Sequence, residues 1–105
     1  MVRRMKEGRK AKSSNRVALV RYRPEDWERW RQSVDDPEVF QEPFEKWREK
    51  SEAMALRLKN ARLEVVWIEA DPDRMAEWCR ARGCRNIHER RMQFAAEQIG
   101  NVRVH

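Results

Sequence analysis

Cys79, Cys84 and His88 fall within ten residues of one another, and these are the side-chain types best suited to chemistry in the chain. Two thiolates and an imidazole can ligate a metal. Structural zinc, however, takes four ligands, usually as two tightly spaced pairs. Here the two cysteines are five apart across an expected helix end, and the remaining histidine, His105, is at the terminus. The expectation is therefore no metal and no cofactor, with Cys79 in the core, Cys84 in a turn and His88 half-buried. As a nucleophile, Cys84 has Arg80, Arg82 and Arg85 nearby, and such cations favour the thiolate. His88 lies one helical turn further on, close enough in sequence to act as a base. No Gly-rich loop offers an oxyanion hole beside them, so no catalytic residue is assigned. A thiol-based redox sensor at Cys84 is kept as an alternative function.

Carboxylates pair at Asp35-Asp36 and at Asp71/Asp73, each beside a proline. Acid–base catalysis needs two carboxyls in a cleft with separated pKa values, whereas a carboxylate next to Pro at a helix boundary is explained by capping. The chain has three glycines and neither a P-loop nor a GxGxxG pattern, which argues against phosphate cradling by a glycine-rich loop.

Charge is the most informative feature. The net charge is +6. Residues 1–16 alone carry Arg3, Arg4, Lys6, Arg9, Lys10, Lys12 and Arg16 against Glu7, while the remaining residues balance 17 basic against 17 acidic side chains. The excess thus belongs to the leading segment, and the body is neutral on balance. A flexible segment of this kind binds polyanions by releasing their counterions, with little sequence preference. RNA or DNA contacted through residues 3–16 is the leading expectation for a partner. A second basic cluster (Arg80, Arg82, Arg85, Arg90 and Arg91) surrounds a short turn containing Gly83. It has the outline of a helix–turn–helix surface, but Glu89 and Glu97 share its second helix.

The elements that must position these groups can be read from periodicity. Residues 1–15 lack apolar periodicity and read as a flexible basic arm. RVALVRYR (16–23) is a β-branched run expected to form a strand. Pro24, Glu25 and Asp26 open a helix over 24–35, with Trp27, Trp30 and Val34 on one face. After Asp36-Pro37, the positions Phe40, Phe44, Trp47, Ser51, Met54 and Leu58 predict a second amphipathic helix ending near Asn60 in a left-handed turn. LEVVWIEA (63–70) is the second strand. Asp71 and Pro72 start a third helix with Met75, Trp78 and Cys79 inward, and Gly83 stops it. Asn86 caps a fourth helix with His88, Met92, Ala95, Ala96 and Ile99 on one face, ending at Gly100 before a tail over 101–105.

At an offset of 48 residues, Val17, Leu19, Val20, Pro24 and Trp30 align with Val65, Trp67, Ile68, Pro72 and Trp78. The expected architecture is α/β: two βαα repeats forming a small two-stranded sheet with four helices, as a single domain over 16–100. In that register Ala18, Val20 and Tyr22 share a face with Val66, Ile68 and Ala70. Val17 and Leu19 share the other with Val65 and Trp67. A two-stranded sheet is marginal by itself, so either the four helices cover both faces or a second chain buries the face of Val17, Leu19, Val65 and Trp67; a homodimer is the expectation, with a protein–protein adaptor docking a partner there as the alternative. The tryptophans lie on the apolar stripes and read as core, with Trp67 the one that could be open.

The segments DD (35–36), FEKW (44–47), VVWIEADPD (65–73), EWCRARG (77–83) and MQFAAEQ (92–98) together resemble a loose group of short bacterial proteins with no assigned activity. The resemblance covers about two thirds of the chain, implies a fold and no mechanism, and leaves out the basic arm. No apolar run approaches a membrane span, and no apolar stretch follows the basic start as a signal peptide requires. The resulting expectation is a small, non-enzymatic, cytoplasmic binding protein.

Overall fold

The computed structural model describes residues 15–103, excepting the side chains of 100–103. Residues 1–14 of the expected arm over 1–15, and the last two residues of the expected tail, lie outside the described residues. The fold is mixed α/β, with four helices and a two-stranded parallel sheet. Strand β1 is Arg16–Arg21. A 3-10 turn, Pro24–Asp26, leads into helix α1, Trp27–Ser33, and a second 3-10 turn, Pro37–Phe40, precedes helix α2, Phe44–Asn60. Strand β2 is Glu64–Glu69, followed by helix α3, Pro72–Arg82, and helix α4, His88–Arg103.

The strands pair in the register expected from sequence: Val17 opposite Val65, Leu19 opposite Trp67, Val20 opposite Ile68 and Arg21 opposite Glu69. Parallel neighbours require a long crossover, and α1 and α2 supply it. The even-numbered face of β1 looks into the core. Ala18, Val20, Tyr22 and Ala70 are buried there with Trp27, Trp30, Phe40, Met75, Cys79, Phe94 and Ala95. Tyr22 is the hub of this core. Its ring lies 4.9 Å from Trp30, 5.2 Å from Phe40 and Trp47, and 5.9 Å from Trp27, all edge-on. Edge-to-face contacts of this kind add to the burial of large rings.

The other face is thinner. Val17, Leu19, Val65 and Trp67 are half-buried. Helix α2 packs beside β2, and Ala55 is its buried residue. Its Met54, expected inside, is 42% exposed. Phe44 and Trp47 carry the first turns of the helix onto the core, while Met54 and Leu58 further along line a groove.

Helix boundaries show where local chemistry decides and where it does not. Asp71 accepts from the backbone N–H groups of Asp73 and Arg74 at 3.0 and 3.1 Å, as an N-cap should. Gly83 ends α3 at φ 64°, with its N–H donating to the Arg80 carbonyl and the Cys84 N–H to the Cys79 carbonyl. That paired pattern is the Schellman motif. Helix α2 ends in the same way, but the left-handed residue is Arg62 at φ 68°, not Asn60. There the Arg62 N–H reaches the Lys59 carbonyl and the Leu63 N–H the Leu58 carbonyl. A Cβ in this conformation is costly, so Arg62→Gly is expected to stabilise the fold by about 1 kcal/mol, measured by urea denaturation. A destabilised variant would contradict that assignment of strain.

Helix α4 departs from expectation at both ends. It continues past Gly100 to Arg103, since one helical glycine costs only about 1 kcal/mol relative to alanine. Its start is held by distant carboxylates. Asp35 accepts from the Asn86 N–H at 2.7 Å and Asp36 from the His88 N–H at 2.9 Å. The inward face also differs: Arg91, Phe94 and Ala95 are buried, whereas His88 and Ala96 are exposed.

Candidate functional site

The parallel strands end together, and a cleft opens beyond their carboxyl ends, the place where ligands sit in open α/β sheets. It has a volume of about 380 Å³ and is walled by Tyr22, Phe44, Trp47 and Trp67, with Arg21, Arg23 and Arg48 around it. Trp67 takes the Arg21 guanidinium at 4.9 Å from its ring centroid. Arg23 is held by Asp26 at 2.9 Å, and Arg48 by Glu45 at 2.8 Å and Glu52 at 3.3 Å. These carboxylates raise the pKa of both arginines, through hydrogen bonding first and charge second. Glu52 and Glu69 also face the cleft. It is therefore an aromatic slot with nearly balanced charge, suited to a flat group, with Ser51 also on its wall.

A second, more apolar groove of about 420 Å³ runs between β1 and α2. Val17, Leu19, Met54, Leu58 and Met92 line it, and Lys50 and His88 give it polar edges. The residues expected to share one interface are thus divided. Val17 and Leu19 face the groove, and Trp67 faces the cleft.

Of the expected nucleic-acid contacts, Arg3, Arg4, Lys6, Arg9, Lys10 and Lys12 lie outside the described residues. Arg16 is the first residue of β1 and faces Glu64 at 3.7 Å. Several of the body's cations are occupied. Arg29 pairs with Asp26 and Asp73, Arg31 with Glu28, Lys50 with Glu42, and Arg82 with Glu97. The suggested helix–turn–helix surface is correspondingly reduced. Arg82 lies over Trp78 at 4.1 Å besides meeting Glu97, and Arg91 is buried.

Arg91 is the residue that sequence periodicity missed. It is 1% exposed, yet each of its nitrogens has a partner. The Nε donates to the Tyr22 hydroxyl at 2.9 Å, and the two terminal nitrogens grip the Asp36 carboxylate at 2.9 and 3.0 Å. The Asn86 carbonyl and side-chain oxygen each accept at 3.1 Å. The available signal was positional: Arg91 lies four residues before Ala95, on the apolar face of α4. This network is a structural lock between the end of α1, β1 and α4. It also perturbs Tyr22, whose pKa is raised by burial, against the lowering pull of Arg91.

Tyr22 is the sole tyrosine of the chain, so its titration can be followed by tyrosinate absorbance. The neutral phenol is favoured in the folded state. Its contribution to stability is complete below the ordinary tyrosine pKa of 10.0 and is lost as pH rises through the higher folded value. Tyrosinate is expected to appear later in the alkaline titration of folded than of urea-unfolded protein; coincident curves would contradict the burial.

Among the described residues no three His, Cys, Asp or Glu side chains cluster as metal ligands. Cys79 and Cys84 line one cavity with Asp35 and Asn86, whereas His88 lines the apolar groove. No helix of the described residues is long and apolar enough to cross a membrane. Comparisons with protein-family models, with curated proteins and with solved structures find no match for this chain.

Proposed function

We propose that this is a small, non-enzymatic binding protein that contacts nucleic acid without sequence preference through Arg3, Arg4, Lys6, Arg9, Lys10, Lys12 and Arg16. The observation that carries the reading is the charge partition: +6 in residues 1–16 and zero in the rest. The ion pairs of the body support it. Arg23, Arg29, Arg31, Arg48, Lys50, Arg82 and Arg91 each meet a carboxylate of the same chain. Cations so engaged release few counterions from a polyanion, which shifts the electrostatic gain towards the leading segment. We place the protein in the cytoplasm, on its sparse cysteines. The pairing register at an offset of 48 residues supports a further element of the proposal, that the two halves are copies of one βαα unit.

The test is an electrophoretic shift on duplex DNA and single-stranded RNA of random sequence. The full chain is compared with a variant in which Arg3, Arg4, Lys6, Arg9, Lys10 and Lys12 are all glutamine. Arg16 is retained because it belongs to β1. The full chain is expected to shift both polymers, and the variant neither. Equal binding by the two proteins would overturn the proposal.

A second reading is a homodimer or adaptor that docks through Val17, Leu19, Val65 and Trp67. The apolar groove favours it, together with the exposure of Val39, Met54 and Leu56 at 42%, 42% and 60%. Sedimentation equilibrium of Leu19→Glu against the unmodified chain tests it: a dimer that persists in the variant excludes this surface.

A further inference from the structure

The ends of α2 and α3 share one backbone pattern, and they fill it differently. In a Schellman motif the side chains three residues before the cap and two after it come into contact, usually as a hydrophobic pair. At the end of α2 those positions are Leu58 and Leu63, joined by a backbone hydrogen bond of 3.0 Å. At the end of α3 they are Cys79 and Cys84, joined by the corresponding bond of 3.1 Å. Gly83, in the left-handed conformation between them, folds the chain back so that the two cysteines occupy the paired positions of the cap. Both thiols are free, and Cys84 packs against the core cluster that contains Cys79. Both line an open cavity of about 360 Å³ that also contains Ser33, Asp35, Arg80 and Asn86.

We propose that Cys79 and Cys84 form a reactive dithiol that a hydroperoxide converts into an intramolecular disulfide across the cap of α3. The roles of the two sulfurs follow from their surroundings. Cys84 is half-buried and accessible from the cavity, with Arg80 beside it. Cys79 is 5% exposed, and its thiol leans on the Arg85 carbonyl at 3.7 Å. Burial first, and Cys84 second, push the Cys79 thiol up to about 11, so it stays protonated at neutral pH. Cys84 therefore meets the oxidant and Cys79 resolves.

In the first step the Cys84 sulfur, having released its proton, attacks the outer peroxide oxygen. The S–O bond forms and the O–O bond breaks. The leaving alkoxide or hydroxide takes up a proton, giving a sulfenic acid and an alcohol or water. In the second step the Cys79 sulfur attacks the Cys84 sulfur. The S–S bond forms, the S–O bond breaks, and the departing hydroxide leaves as water with the Cys79 proton. The peroxide gains two electrons, one from each cysteine.

This inference is independent of the nucleic-acid reading, since none of its residues belongs to the leading segment. The test uses the full chain, fully reduced, treated with one equivalent of hydrogen peroxide and then with N-ethylmaleimide. Trypsin cuts after Arg74, Arg80, Arg82 and Arg85, so the two cysteines fall on separate peptides unless a disulfide joins them. The expected product is the peptide from Met75 to Arg80 linked to the peptide from Gly83 to Arg85, monomeric on a non-reducing gel and separated by dithiothreitol. In Cys79→Ser the sulfenic acid at Cys84 is expected to persist and to react with dimedone. Maleimide on both cysteines after peroxide, sulfinic acid at Cys84 with Cys79 still alkylated, or a disulfide between two chains would each overturn the proposal.

Discussion

Asp36→Ala is expected to cost about 3–5 kcal/mol, close to the whole stability of a marginal small domain. The cost follows from what the substitution leaves behind. Arg91 is 1% exposed, so its charge cannot be rehydrated without opening the core. Tyr22 and Asn86 still accept from it, but neither carries the compensating negative charge. Asp36 also accepts from the His88 N–H, so the same change removes the cap from α4. Arg91→Met should cost less than Asp36→Ala. Asp36 keeps its capping role and is 13% exposed, so it can hold water. The double variant Asp36→Ala/Arg91→Met should recover part of the loss, because breaking one side of a buried pair costs more than removing both. Urea denaturation of the three variants measures this. A cost below about 1 kcal/mol for Asp36→Ala would place the pair in the class of exposed ion pairs and refute the lock.

Trp30→Ala is expected to be comparably severe, at about 3–5 kcal/mol. Trp30 is fully buried, stacks parallel on Phe40 at 6.0 Å, and meets Tyr22 edge-on. Its removal opens a cavity at the junction of α1, β1 and the second 3-10 turn. Trp30→Phe separates ring packing from polarity. The indole N–H has no hydrogen-bond partner among the described residues, so nothing is orphaned when it goes. The phenylalanine variant should retain most of the stability, losing less than about 2 kcal/mol from reduced volume. Thermal unfolding of both distinguishes the contributions, and equal losses would mean that the polar edge matters in a way the geometry does not account for.

The features legible in the sequence were the matching of two similar runs and the local capping of a helix. The pairing of Val17 with Val65 and Leu19 with Trp67 followed from aligned β-branched runs, and Asp71, Pro72 and Gly83 marked α3 by local capping chemistry. Most of what escaped was set by residues far apart in sequence. The Asp35-Asp36 pair reads as a local helix stop, yet it holds α4 more than fifty residues away. Arg91 reads as one cation of a basic cluster, because nothing nearby announces that Tyr22, Asp36 and Asn86 will converge on it. Arg62 occupies the left-handed position that Asn60 was expected to take, because the cap bonds of α2 close two residues later than composition suggests. The candidate cleft was equally hidden. Trp67 stood out as an exposed-face aromatic, but its meeting with Arg21 and the aromatic wall of Phe44 and Trp47 depends on the crossover bringing α2 to the strand ends.

The proposed function rests on cations of the leading segment acting on a polyanion, while the body is neutral on balance and several of its cations are engaged with their own carboxylates. The most direct measurement is the dependence of duplex DNA affinity on salt for the full chain and for the variant with six glutamines. At about −0.9 per phosphate neutralised, seven cations predict a log–log slope near −6 for the full chain and a slope near −1 or shallower for the variant. A slope that is the same for both proteins would place the binding surface on the folded body and contradict the account.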